Sequence, residues 1–368
     1  MFSEIIGQSH AIGALRGAVG SGRLPGTYLF VGPEHIGKTA AALALAQTLN
    51  CTADERSDLL DGCGECYSCR SIASGTHPDV RSAAPSGPSR TLRIPQFWPR
   101  EGVREHPADR AMLRDLHFAP VRAKRRVFIV EDADALNDDT ANSLLKVLEE
   151  PPPYALFILT ASATNSVLPT ILSRSQAIRF RIVPTPDIER ALKERHTLDE
   201  PHARFIAAFC QGRIGEAFRL ASQPSLLEAR QIVLDTASDL SSGTPLIHAY
   251  KIADDLRKAA DKLGAGRKDE AGESQRTALA HAIDIVTLWY GDLLRAVVAP
   301  QSTEPVNSDR SAQIRAHAAH YDAASLARAI RILADARRYV ERNASAQIAT
   351  EAMALQLLAL PRLRSEPR

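Results

Sequence analysis

The chain has 368 residues, 45% hydrophobic and 24% charged, a composition and length that fit two or three globular domains and exclude one small domain or wholesale disorder. Lysine and arginine number 45 against 43 acids, a net charge of +2, so overall charge alone predicts no polyanion partner. The longest uncharged stretch, Pro151 to Ser173, holds four prolines, which a membrane-spanning helix does not tolerate, and no membrane partner is expected.

Met1-Phe2-Ser3-Glu4 lacks the basic, apolar and small-residue blocks of a signal peptide, so a cytoplasmic location is expected. Ile12, Leu15, Ala18 and Val19 recur at helical spacing. Tyr28 to Val31 is a short apolar run bounded by glycines, read as a buried strand, and the breaker-free Ala40 to Leu49 is the helix after it. Four of the five cysteines crowd into Cys51 to Cys69, an odd total that suits a reducing compartment and metal binding. Between Arg90 and Arg126, ten basic residues face four acids, while the rest of the chain nets minus four. The proline-rich segment 85–126 is therefore either a basic face or a solvated insertion. Val127 to Val130 reads as a second strand, Thr140 to Glu150 as a helix stopped by three prolines, Ala155 to Thr160 as a third strand and Ile178 to Ile182 as a fourth. Strands alternating with helices at these lengths predict an α/β fold, a parallel sheet covered on both faces. Beyond Val183 the pattern is helical throughout, with a small unit from Pro184 to about Leu220, a polar loop at Gly264 to Gly272, and a stripe of Leu326, Ile330, Leu333 and Val340 interrupted by Arg337.

Gly32-Pro33-Glu34-His35-Ile36-Gly37-Lys38-Thr39 matches the phosphate-binding pattern G-x-x-x-x-G-K-[ST] between a strand and a helix. Gly32 and Gly37 let amides curl around phosphate oxygens, Lys38 reaches the terminal phosphates, and Thr39 ligates magnesium, so ATP with magnesium is the expected ligand. Magnesium also needs a carboxylate and an attacking water needs a base; the strand ending at Val130 offers Glu131 and Asp132. Hydrolytic ATPases of this kind usually present Asp before Glu, so here the shorter Asp132 has to act as base. Cys51, Cys63, Cys66 and Cys69 read as C-x11-C-x2-C-x2-C, the spacing of one closed structural zinc site. Four unlinked thiols are the other reading, and His77 is an alternative to Cys51 as fourth ligand. Cys210, beside Phe209, reads as a buried small hydrophobe.

These residues resemble the clamp-loader branch of the AAA+ ATPases, and within it the delta-prime type of subunit of bacterial DNA polymerase III, over nearly the whole chain. Ala141-Asn142-Ser143-Leu144-Leu145-Lys146-Val147-Leu148-Glu149-Glu150-Pro151-Pro152 is similar to the helix after that family's second acidic motif. Leu172-Ser173-Arg174-Ser175 looks like its Ser-Arg-Cys motif with Ser in the last place, and Gly75-Thr76-His77-Pro78-Asp79 favours delta-prime over gamma/tau. Leu288 to Leu294 and Asn343 to Leu355 look like collar helices. The resemblance implies a P-loop AAA+ domain over residues 1–182 with a zinc module at 51–69, a helical lid over 183–222 and an all-α collar over 223–368. It implies Arg174 as an arginine finger acting on a neighbour's ATP. Gly215 stands where an active subunit carries a sensor arginine, so nucleotide binding with poor turnover is expected. The implied role is an accessory subunit of a DNA-directed DNA polymerase holoenzyme. Its partners would be gamma/tau and delta subunits, the sliding clamp, and primer-template DNA held by the assembled ring. A gamma/tau-type motor and a stand-alone P-loop nucleotide enzyme stay open as alternatives.

Overall fold

A computed structural model describes residues 1–53, 60–86, 91–99, 111–264, 273–301, 304–342 and 344–363. The chain divides into two compact units, Met1–Ile188 with Gly212–Gly215, and Glu189–Gln211 with Glu216–Arg368.

In the first unit the order is α1 (Ser9–Ser21), β1 (Thr27–Val31), α2 (Lys38–Asn50), α3 (Tyr67–Ala73), β2 (Val80–Ala83), α4 (Ile94–Phe97), β3 (Arg126–Val130), α5 (Asp138–Glu149), β4 (Ala155–Ala161), α6 (Pro169–Leu172) and β5 (Gln176–Arg179). The five strands form one sheet in the order β2-β3-β4-β1-β5, all parallel, with Thr27 opposite Phe157 and Arg126 opposite Ala155. Successive strand residues point to opposite faces, so the near-continuous apolar runs of β1, β3 and β4 supply two cores. Tyr28, Phe30, Val127, Ile129, Leu156 and Ile158 meet Ile12 and Leu15 of α1 and Leu45 of α2 on one face. Leu29, Val31, Phe128, Val130, Phe157 and Leu159 meet Leu144 and Leu148 of α5 on the other. Helix α5 starts where the Asn137 side chain accepts the Thr140 amide at 2.9 Å and stops before Pro151, which cannot continue a helix.

The fourth predicted strand lies earlier than its apolar residues suggested, at Gln176–Arg179 rather than 178–182. It is an edge strand with only Ile178 buried, and it ends because Gln8 takes over the backbone: its Oε1 accepts the Arg181 amide at 3.0 Å and its Nε2 donates to the Arg181 carbonyl at 2.6 Å. Strand β2 and helix α3 have no counterpart in the sequence-based elements. The described parts of segment 85–126 are not a solvated excursion: Leu92, Phe97, Met112, Leu113 and Leu116 are all buried in the second core. Arg126 belongs to no basic face either, being buried against Asp79 at 3.1 Å. Arg90, Arg100, Arg104 and Arg110 lie outside the described residues.

Among the described residues nothing after β5 is a strand. Helices α7 (Thr185–His196), α8 (Glu200–Phe209), α9 (Ile214–Ala221), α10 (Pro224–Ser241), α11 (Ala249–Gly264), α12 (Glu273–Val298), α13 (Ser311–Ala318), α14 (Ala323–Glu341) and α15 (Ala346–Leu358) complete the chain. The division between the units falls within α7 and α9. In the second unit Trp289 and Leu293 of α12 and Leu326, Leu333 and Val340 of α14 are buried, while Arg337 turns outward to pair with Asp284 at 2.8 Å and with Glu341. The fully buried Arg230 of α10 is neutralised by Asp309 at 2.7 Å and bonded to Asn307. The loop expected at 264–272 lies outside the described residues beyond Gly264. Among the described residues no helix is long and apolar enough to cross a membrane.

Asp79, just before β2, is fully buried. Its carboxylate accepts the amides of Val121, Arg122 and Ala123 at 2.8–3.0 Å as well as Arg126. Burial pushes its pKa up, but these donors outweigh it and hold the carboxyl below its usual range. Asp79→Ala should cost about 3–5 kcal/mol in urea unfolding at pH 7, because a buried guanidinium and three amides lose their acceptor. The depressed native pKa means that the stabilisation is complete above the unfolded-state pKa and fades as pH falls through the native one. Asp79→Asn should therefore flatten the acid limb of stability below about pH 4, and an unchanged limb would contradict this account.

Candidate functional site

The phosphate loop leaves β1 at Gly32, whose amide donates to the Ala161 carbonyl at 3.1 Å, and re-enters helix at Gly37, which caps α2 with φ 101°, a conformation open to glycine. With the strand behind and the α2 N-terminus ahead, the loop frames an open cavity of about 230 Å³ lined by Glu34, His35, Lys38, Thr39, Glu131, Asp132, Thr160 and Gly215. Lys38 Nζ donates to the carbonyls of Gly32 at 2.5 Å and Pro33 at 2.7 Å, so two of its three protons are held by the loop itself. Burial lowers the Lys38 pKa, opposed by Asp132, Asp134 and Glu34. Thr39 Oγ1 donates to Glu131 Oε2 at 3.1 Å, bringing together the two groups expected to hold magnesium. Burial raises the Glu131 pKa, with the Thr39 bond opposing and the Asp132 charge adding to it. Asp132 lines the same cavity from a left-handed backbone position, φ 49°, and its amide donates to Thr160 Oγ1 at 3.0 Å.

Gly215 faces this loop directly. Its amide donates to the His35 carbonyl at 2.7 Å, and a Cβ there would lie 2.9 Å from that oxygen, closer than side-chain carbons come. Gly215 therefore contributes its backbone to the wall of the cradle. Thr160, at the end of β4, was not picked out by sequence reading; a hydroxyl closing an apolar strand was the signal.

The four cysteines converge. Cys51 caps the end of α2 and Cys66 the start of α3, and the sulfurs of Cys51, Cys63, Cys66 and Cys69 lie within 4.8 Å of one another, with Cys63 and Cys69 4.0 Å apart. Four sulfurs each about 2.3 Å from one zinc stand about 3.8 Å apart, so the donor set fits a tetrahedral thiolate site. The Cys66 amide donates to Cys63 Sγ at 3.3 Å and the Cys69 amide to Cys66 Sγ at 3.4 Å, the amide-to-sulfur bonds that support thiolates. Burial pushes the Cys66 thiol up, but hydrogen bonds from Thr52 and Cys69 more than offset it and hold it at about 6. Burial raises Cys69. His77 is not in this set: its Nδ1 accepts the Asp79 amide at 3.1 Å, and burial lowers its pKa, opposed by Asp79 and reinforced by Arg122. Cys210 is buried.

Arg174 lies apart from the cradle lining, just after α6. Its Nε and Nη2 donate to Glu149 Oε2 at 3.0 and 2.9 Å, and its Nη1 to the Thr170 carbonyl at 3.0 Å.

Residues 7–184 match the family model described as DNA polymerase III, delta subunit. The chain is 37% identical over 195 residues to the DNA polymerase III subunit gamma/tau of Mycobacterium tuberculosis H37Rv, covering 53% of this chain and 31% of that protein. It is 28% identical over 266 residues to the DNA polymerase III subunit gamma of Buchnera aphidicola, covering 71% of this chain and 69% of that one. The chain thus spans about a third of the length of the mycobacterial relative. A solved gamma subunit-related protein of Thermotoga maritima aligns over 94% of this chain and 97% of that one, at 16% identity and a TM-score of 0.37. The N-terminal half of the chain is thus similar to DNA polymerase III gamma, tau and delta subunits, and the chain folds as a parallel sheet with helices on both faces followed by a helical region.

Metal analysis of the purified protein should find one zinc per chain, with the four thiols protected from titration until a chelator is added. Cys66→Ser should lower zinc content and melting temperature together; full thiol titration without metal loss would refute the site.

Proposed function

We propose that this chain is a delta-prime-type subunit of the DNA polymerase III clamp loader, binding ATP with magnesium but turning it over poorly, and supplying Arg174 to the ATP of a neighbouring subunit. The observation that carries this reading is the charge of the cradle. Lys38 is the one lysine or arginine among the described residues lining it, against Glu34, Glu131 and Asp132, and the place where the resemblance puts a second cation is Gly215. Lys38 and the amides of the loop would hold the phosphates, while Thr39 and Glu131 would hold magnesium, which would offset phosphate charge when bound. A single buried lysine, with the short Asp132 in the place of the base, would give binding without the positive charge that stabilises the transition state.

In this reading residues 1–182 are the nucleotide domain, 183–222 the lid and 223–368 the collar that joins gamma/tau and delta subunits. The assembled ring would load the sliding clamp onto primed DNA, gripping it by backbone phosphates without sequence preference. The match of residues 7–184 to a delta-subunit model supports the assignment, as does the Gly75 to Asp79 phrase. A gamma/tau-type motor is the second reading, favoured by the gamma and tau subunits among the relatives and by the intact phosphate loop.

The isolated chain should bind ATP with magnesium, lose at least about tenfold in affinity on Lys38→Ala, and hydrolyse bound ATP near background in a single-turnover assay. Fast hydrolysis abolished by Lys38→Ala would establish the motor reading instead. Assembled with partner subunits, Arg174→Ala should leave the complex intact and slow hydrolysis at the adjoining site on the order of a thousandfold; unchanged hydrolysis at every site would sink the trans assignment.

A further inference from the structure

We infer that Glu149 is a positioning residue for Arg174, fixing the guanidinium so that one edge faces its own chain and the other is presented outward; this rests on the reading that Arg174 acts on a neighbour's ATP. The guanidinium carries five N–H donors. Nε and Nη2 each direct one to Glu149 Oε2, and Nη1 directs one to the Thr170 carbonyl. The second Nη1 donor has only a long 3.5 Å contact with Ser173 Oγ and the second Nη2 donor remains, on a side chain still 30% exposed, so the outer edge of the guanidinium is presented in the orientation that meets phosphate oxygens.

Glu149 is an unfavourable choice by local helix energetics. It is the last residue of α5, where the helix end carries partial negative charge and disfavours a carboxylate. Lys146 already provides a cation in that turn, so nothing in α5 itself calls for an acid there, whereas Arg174 does. The position is also rigid. Thr27 Oγ1, on the strand that leads into the phosphate loop, donates to the Leu148 carbonyl at 3.3 Å. The Glu150 amide closes onto Lys146 at 3.1 Å, and Pro151 follows within 2.3 Å of where a Cβ on Gly26 would stand. A long arginine just beyond a short helix is thus tied to a sheet-anchored carboxylate. Orienting such a side chain in advance spares the rotamer entropy it would otherwise lose on meeting its target. With Glu149 56% exposed the pair adds little to stability, which separates positioning from folding.

The test uses Glu149→Ala, Glu149→Gln, Arg174→Ala and the Ala/Ala double variant, each assembled with wild-type partner subunits and read as kcat and KM for ATP. Glu149→Ala should assemble normally, keep KM within about twofold and lower kcat at the adjoining site roughly tenfold. Glu149→Gln should recover most of that loss, because its Oε1 still accepts from Nε. The double variant should be no slower than Arg174→Ala alone. Wild-type kcat in Glu149→Ala alongside a slow Arg174→Ala would overturn the inference while leaving the trans reading standing. Failed assembly of Glu149→Ala, or extra slowing in the double variant, would likewise overturn it in favour of an interface or separate role. If Arg174→Ala itself keeps full kcat, the trans reading falls and the role of Glu149 falls with it.

Discussion

The Asp79 carboxylate, buried just before β2, holds in register the parts that build the loop-and-strand cradle at one end of the parallel sheet. It gathers the amides of residues 121–123 and the guanidinium of Arg126, the first residue of β3. A buried acid surrounded by that many donors has one low-energy arrangement, so the long segment between β2 and β3 returns to the sheet at a fixed point. From Arg126 the strand runs straight to Val130 and delivers Glu131 to within 3.1 Å of Thr39. A shift of one residue in β3 would turn Phe128 and Ile129 to the wrong cores and move Glu131 off the loop. The chemistry at one end of the sheet is thereby set by an ion pair at the other.

What was legible in the sequence follows the strength of local signals. The runs Tyr28 to Val31, Val127 to Val130 and Ala155 to Thr160 are central strands buried on both faces, and such strands announce themselves by composition. Val80-Arg81-Ser82-Ala83 is an edge strand with only Ala83 buried; its pairing comes from β3 and from Asp79, a contact no local pattern records. Strand β5 shows the same limit, with its extent decided by Gln8, far away in sequence. The phosphate loop and the cysteine spacing were readable because both chemistries demand fixed residues at fixed intervals. The Arg174–Glu149 pair was not, since it joins two motifs that each look complete alone.

In the cradle, burial is the dominant influence on both Lys38 and Glu131, and neighbouring groups oppose it. Burial weakens the charge on Lys38 while three carboxylates nearby sustain it, and burial pushes Glu131 toward its neutral form while Thr39 supports the anion. Lys38 donates to the carbonyls of Gly32 and Pro33. On the proposed reading, a phosphate entering the loop would have to compete for those donors as well as with the surrounding acids, and its affinity would depend on counter-charge brought in with it.

The sulfur cluster differs from the sheet in how far along the chain its members come from. Cys63, Cys66 and Cys69 sit within a single turn-and-helix segment and Cys51 only eleven intervening residues earlier, whereas β1 finds its neighbour β4 across most of the domain. Closing so short a loop costs little chain entropy, while the parallel pairings have to await long closures. With a metal bound, the cysteine module would join the end of α2 to the start of α3 through short closures alone, so the helix that carries Lys38 and Thr39 would be anchored independently of the long strand pairings that complete their surroundings.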